Sequence, residues 1–264
     1  MAVHRTVVVA GLVGALALAS GGAAYAAPPA ESFPEAVMYS VVHPGAEPLG
    51  VNDFECTPSA EHPEPVVLVH GFLENSYGNW ASLAPKLVDE GYCVFALDYG
   101  APEGIPFGGL GSIADSAAEL STFVDAVSAA TGASKVSIVG HSKGGTVPRY
   151  YVEYLGGADR VSRIVALSPP NYPTPGPPVD DALAELNSPV DTVPGVEYTV
   201  IVTRYDQVVP YQASLLTGPG ARNVVIQDLC PANTVEHTGI SYDLLAQQLV
   251  FDALADGDLD AVRC

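Results

Sequence analysis

Ser142 lies in Gly140-His141-Ser142-Lys143-Gly144, directly after the β-branched run Val136-Ser137-Ile138-Val139 and ahead of a helical stretch at 149–155. A serine hydroxyl becomes a useful nucleophile only when a neighbouring base takes its proton, and a neutral imidazole is the usual base. Flanking glycines permit the sharp strand-to-helix bend that lifts such a hydroxyl above a sheet. Ser142 is therefore the expected nucleophile. The sole histidine downstream of it is His237, in Val235-Glu236-His237-Thr238-Gly239, and it is the expected base. A base of this kind needs an acid to hold its tautomer and to stabilise the imidazolium. Asp206, in Thr203-Arg204-Tyr205-Asp206, follows an apolar run and precedes His237, which gives the chain order nucleophile, acid, base. Asp228 is the main rival because it too ends an apolar run, whereas Asp98 precedes Ser142 and Asp191 falls in a proline-rich stretch expected to be too mobile to orient a ring.

Acyl transfer also builds an oxyanion, which requires two preorganised N–H groups. Lys143 supplies one at the start of the helix, and Phe72, just past His70-Gly71, is expected to supply the other. Only the backbone acts at both positions, so their side chains are expected to shape the pocket rim. His141 is expected to pack under the turn. Gly108-Gly109-Leu110-Gly111 lacks the lysine of a phosphate loop and reads as a flexible pocket wall. Asp256, Asp258 and Asp260 lack the glutamate of a calcium loop and read as a solvated acidic stretch.

These residues are useful only if the chain brings them together. Apolar runs at 65–69, 93–97, 136–139, 164–167, 198–202 and 224–226 alternate with helical periodicity at 80–90, 113–130, 149–155 and 242–254. The alternation implies an α/β fold with a mostly parallel central sheet and helices on both faces, in which ligands gather at the carboxyl ends of the strands. Phe72, Ser142, Asp206 and His237 each follow a predicted strand. Residues 27–64 show no clear period and are expected as coil. A short insertion is expected at about 168–195.

The chain opens with Arg5, an apolar run at 7–19 and Ala24-Tyr25-Ala26, the pattern of a cleaved secretory signal over residues 1–26. That run is shorter than the roughly 18 to 20 residues a membrane span requires. Residues 27–264 are long enough for one α/β domain. Four cysteines in an exported chain imply two disulfides with three possible connectivities, of which Cys56–Cys93 and Cys230–Cys264 are expected. No cysteine pair has zinc-ligand spacing, so no metal is expected. A net charge of −20 repels nucleic acid and anionic bilayers.

The runs Val66-Val67-Leu68-Val69-His70-Gly71, 91–100, Gly140-His141-Ser142-Lys143-Gly144-Gly145 with Pro148-Arg149-Tyr150-Tyr151, and Thr203-Arg204-Tyr205-Asp206 resemble the secreted bacterial class 2 triacylglycerol lipases of the α/β-hydrolase fold. The resemblance covers most of 50–255. It implies hydrolysis of carboxylic esters by Ser142, Asp206 and His237, on an ester or lipid small-molecule substrate. The chain departs from the family at Lys143, where glutamine is common, and at Asn171-Tyr172-Pro173, where an Asn-His-Gly run is common. The insertion is also shorter than in many relatives. The expectation is a secreted, extracellular serine esterase or lipase that works as a monomer without a cofactor and without stable membrane insertion. The alternatives are an acyltransferase using the same residues and a binding protein that keeps the scaffold alone.

Overall fold

The computed structural model describes residues 25–174, 180 and 182–264. The expected signal at 1–26 falls almost wholly outside the described residues. The elements in order are β1 (Tyr25–Ala26), α1 (Phe33–Val42), β2 (Ala46–Glu47), β3 (Val66–Val69), α2 (Ser76–Trp80), α3 (Leu83–Asp89), β4 (Val94–Leu97) and α4 (Ile113–Thr131). They continue as β5 (Val136–His141), α5 (Lys143–Tyr154), β6 (Val161–Leu167), α6 (Ala182–Glu185), β7 (Glu197–Val202), β8 (Ala221–Val225), α7 (Ile226–Leu229) and α8 (Leu244–Leu254).

Six strands form one parallel sheet in the order β4-β3-β5-β6-β7-β8. Continuous apolar runs make these strands because both of their faces are covered. Val67 and Val69 of β3 pack with Ile138, Ala166 and Val200 beneath Leu120 and Val124 of α4 and Val147 and Tyr151 of α5. The alternate residues, Val66 and Leu68, pack with Val139, Val165 and Ile201 on the other face against Leu83 and Leu87 of α3 and Leu249 and Val250 of α8. The chain passes from β3 outward to β4 and then returns to β5 on the opposite side of β3. The carboxyl ends of β3 and β5 therefore diverge into the crevice where such sheets bind ligands.

Helix ends follow their sequence signals. Ser112 Oγ accepts the Asp115 N–H at 3.0 Å to cap α4, and Gly132, in the left-handed region at φ 72°, closes it. Asp243 caps α8 in the same way through the Ala246 N–H at 2.9 Å.

Several expectations need correction. Residues 27–64 are not all coil: α1 forms there, with Pro34 near its start. Its period is hidden because only Ala36 and Ser40 are buried while Met38, Val41 and Val42 are exposed. The helix expected at 80–90 is shorter, α3 over Leu83–Asp89, and is preceded by a separate turn, α2, which Asn75 caps by accepting the Gly78 N–H at 2.6 Å. The last strand begins earlier than its apolar residues, with Ala221, Arg222 and Asn223, because it is an edge strand whose polar side chains are tolerated; Ile226 starts α7 instead.

Cys56 bonds to Cys93 and Cys230 to Cys264, across 37 and 34 residues of sequence. The second bond ties α7 to the chain end beside α8. Each loop is worth about 4 kcal/mol of unfolded-state entropy. The Cys230→Ala, Cys264→Ala double variant is expected to melt roughly 10 °C lower in calorimetry. An unchanged melting temperature would show that this bond constrains nothing.

Candidate active site

Ser142 is forced into a left-handed backbone at φ 50°, ψ −127°, between β5 and α5. A non-glycine residue held there carries strain that the surroundings must fix. The flanking glycines are what make the bend fit. A Cβ on Gly140 would meet the Gly144 carbonyl oxygen, and a Cβ on Gly144 would meet the carbonyl oxygens of Val69 and His70 on β3. The bend thus presses the start of α5 onto the end of β3, where the other site residues begin.

His237 arrives from the loop before α8. Its Nε2 is 3.0 Å from Ser142 Oγ and its Nδ1 is 2.7 Å from Asp206 Oδ2. The ring is buried and the Asp206 side chain is 1% exposed. The second Asp206 oxygen accepts the backbone N–H groups of Val208 and Val209 at 2.9 and 2.7 Å. Burial pushes the Asp206 carboxyl up, but the His237 hydrogen bond and charge and the two backbone donors outweigh it and hold the group below the ordinary aspartate value. The His237 loop is tied to the end of β7 by Thr203 Oγ1, which donates to the Val235 carbonyl at 2.7 Å, and to α7 by Gln227 Nε2, which donates to the Asn233 carbonyl at 3.1 Å.

The backbone N–H groups of Phe72 and Lys143 have no acceptor among the described residues, while the N–H groups of Gly71, Leu73 and Gly145 beside them are bonded. Val69 and Gly140 are register partners, so these two free donors lie on neighbouring strand ends. Phe72 and Leu73 are 55% and 54% exposed, and Tyr205 and Val208, on the loop that carries Asp206, are 46% and 63% exposed. The loops around Ser142 are thus fringed with apolar surface.

The structure separates the rival acids. Asp228 lies on α7 and pairs with Arg204 at 2.6 Å, away from His237. Asp98 accepts the Ser76 N–H and hydroxyl at 2.6 and 3.0 Å. Asp191 is not mobile but buried, accepting from Tyr172 Oη at 2.6 Å and from the N–H groups of Thr217 and Gly218 at 2.7 and 2.6 Å. That carboxylate and Arg149 anchor the insertion: Arg149 Nη2 donates to the carbonyls of Leu186 and Asp191 at 2.8 and 3.0 Å.

Two further expectations change. Lys143 does not simply line a rim: its Nζ donates to the Gly109 and Gly111 carbonyls, at 2.8 Å each. The loop around Gly108 is correspondingly bound rather than flexible, with Gly108 N–H on the Glu74 carbonyl and Gly109 N–H on the Tyr99 carbonyl at 2.7 Å each. Asp256 faces Arg163 at 2.8 Å, and Asp260 faces Arg222 at 3.0 Å with Asp258 at 4.0 Å, but all three side chains remain largely exposed, as a solvated acidic stretch would be. Among the described residues no group of three metal-ligating side chains occurs, and no helix is long and apolar enough to cross a membrane.

Glu74 is not singled out by its sequence. It is buried beside the site, with its Oε2 on the Gly71 N–H at 2.8 Å and on His141 Nδ1 at 3.1 Å. The available signal is an acid set in a run that leaves a buried strand, which no spacing rule flags.

Residues 63–169 match the family model of the class 2 lipases. Among solved structures the chain is similar to Aspergillus fumigatus lipase B, at 20% identity and a TM-score of 0.64, over 77% of this chain and 56% of that one. The chain thus spans little more than half the length of that lipase. It is also similar to a Bacillus licheniformis lipase in its mature form, at 16% identity and a TM-score of 0.59, over 75% of this chain and 94% of that one. A third likeness is to the mouse α/β hydrolase domain-containing protein 10, at 14% identity and a TM-score of 0.54, over 73% and 88% of the two chains. The chain has the α/β-hydrolase fold, and its residues 63–169 are similar to the class 2 lipases.

Proposed function

We propose that this chain hydrolyses carboxylic esters through an acyl-enzyme on Ser142. The observation that carries the reading is the relay from Ser142 Oγ to His237 Nε2 and from His237 Nδ1 to Asp206. His237 Nε2 takes the hydroxyl proton as Ser142 Oγ bonds to the ester carbonyl carbon, and the carbonyl electrons move onto oxygen. The N–H groups of Phe72 and Lys143 receive that oxyanion, each worth about 3 to 4 kcal/mol. Collapse breaks the bond to the alcohol, which leaves with the proton from His237. A water deprotonated by the same imidazole then attacks the acyl carbon and frees the acid and the serine.

The exposed Phe72, Leu73, Tyr205 and Val208 favour an apolar acyl group. We further propose residues 27–264 as a single catalytic domain, released from a signal at 1–26 and acting outside the cell as a monomer; its two disulfides suit that compartment. The purified domain, assayed against p-nitrophenyl esters of increasing acyl length, is expected to turn over at least the short and medium chains. No turnover on any ester would overturn the reading. Product analysis with a competing alcohol distinguishes hydrolysis from acyl transfer.

A further inference from the structure

We propose that Glu74 is a positioning residue for ester hydrolysis, which holds His141 as a buried imidazolium so that one charge pair fixes both the oxyanion loop and the His237 loop. The proposal rests on the function just argued, but the charge pair itself can be tested without it.

His141 is fully buried beneath Ser142, and acceptors face both of its ring nitrogens. Nδ1 lies 3.1 Å from Glu74 Oε2, and Nε2 lies 2.9 Å from the His237 backbone carbonyl. A neutral imidazole carries one N–H and can donate only once, whereas an imidazolium donates at both nitrogens. The same Glu74 oxygen also accepts the Gly71 N–H. Asn79 Nδ2 is 3.2 Å from His141 Nδ1, but it is also 3.2 Å from Ser241 Oγ, which remains as its acceptor when Nδ1 carries a proton. Burial alone would push the imidazole down and the carboxyl up. The mutual charge and hydrogen bond outweigh it in both groups, leaving His141 above and Glu74 below its ordinary value. The other titratable groups facing the pair are His70, Asp206, Tyr99, Tyr242 and the His237 ring, whose centroid lies 5.0 Å from that of His141.

This pair joins three segments that approach the reacting carbon from different sides. Glu74 follows β3, and its bond to Gly71 sets the residue before the Phe72 N–H. His141 is the last residue of β5, next to Ser142. Its bond to the His237 carbonyl sets the backbone from which the imidazole base projects. Nothing in the pair touches substrate, so its loss should be felt as misplacement of groups that do. A displacement near 1 Å can cost about 100-fold in rate.

The test uses the purified domain, Glu74→Gln, and the double variant Glu74→Gln with His141→Gln. Glutamine keeps the shape and can still accept from Gly71, but it cannot pair an imidazolium. Long-range ¹H–¹⁵N correlation spectra at pH 8 are expected to show one histidine protonated at both nitrogens, lost in Glu74→Gln. With p-nitrophenyl butyrate, kcat per active site titrated with a phosphonate is expected to fall about 10- to 100-fold while KM stays within about twofold. A residue that only supported the fold would lower the number of titratable sites and leave kcat per site unchanged. If Glu74→Gln does not fold, the double variant, which leaves no unpaired buried charge, carries the same kinetic prediction. An all-neutral histidine spectrum in the unaltered protein overturns the proposal, as does wild-type kcat per site in either folded variant. Absence of turnover by the unaltered protein would instead overturn ester hydrolysis, with the spectra still deciding the charge pair.

Discussion

Ser142→Ala is expected to lower kcat on p-nitrophenyl esters by about 10⁴-fold or more, with the fold intact. Alanine removes the hydroxyl that lies within reach of His237 Nε2, at 3.0 Å, and that would form the acyl bond. The methyl group fits because the site is shaped by backbone: Gly140 and Gly144 set the bend, and the oxyanion donors are main-chain N–H groups. Circular dichroism and the melting temperature should match the unaltered protein, since the substitution removes one hydroxyl and relieves none of the packing. Rate remaining above the uncatalysed reaction should be what the donors and binding alone supply. Activity within tenfold of the unaltered protein would mean that another group attacks the ester.

Asp206→Asn has nearly as large an expected effect for a different reason. The oxygen of the introduced amide can keep the N–H groups of Val208 and Val209, and its nitrogen then faces His237 Nδ1. Nδ1 must accept that donor, so the proton of a neutral His237 moves to Nε2, where it points at Ser142. The serine loses its base although every atom is close to its former place. A fall in kcat of about 10⁴-fold at neutral pH, with KM little changed, is the expected result. Asp228→Asn is the control, because Asp228 holds only Arg204 on the surface and should leave kcat unchanged. Equal losses in the two variants would remove Asp206 from the role.

Much of this arrangement could be read from residue order, because parallel α/β sheets place every strand's carboxyl end on one edge. Ser142, Asp206 and His237 needed only to follow successive strands to meet, and the strands were visible as apolar runs buried on both faces. What escaped was set by tertiary contact rather than by local pattern. α1 buries only small residues and exposes large ones, so its sequence has no helical stripe. Asp191 sits among prolines that suggested a loose loop, yet its donors come from Tyr172, Thr217 and Gly218. Lys143 looked like a rim residue because its partners are carbonyls of a glycine loop far away in sequence. Glu74 and His141 become a pair only once β3 and β5 are neighbours.

The central claim is that Ser142 is a nucleophile activated by His237. The most direct measurement is covalent capture: the domain is incubated with an alkyl p-nitrophenyl phosphonate, which is displaced at phosphorus by an activated serine, and the adduct is located by peptide mass spectrometry. One phosphonyl group per chain on Ser142 is predicted, with labelling slowed at least about 10³-fold in His237→Ala because the serine then lacks its base. Modification at any other residue, or equally fast labelling of Ser142 without His237, would contradict the account.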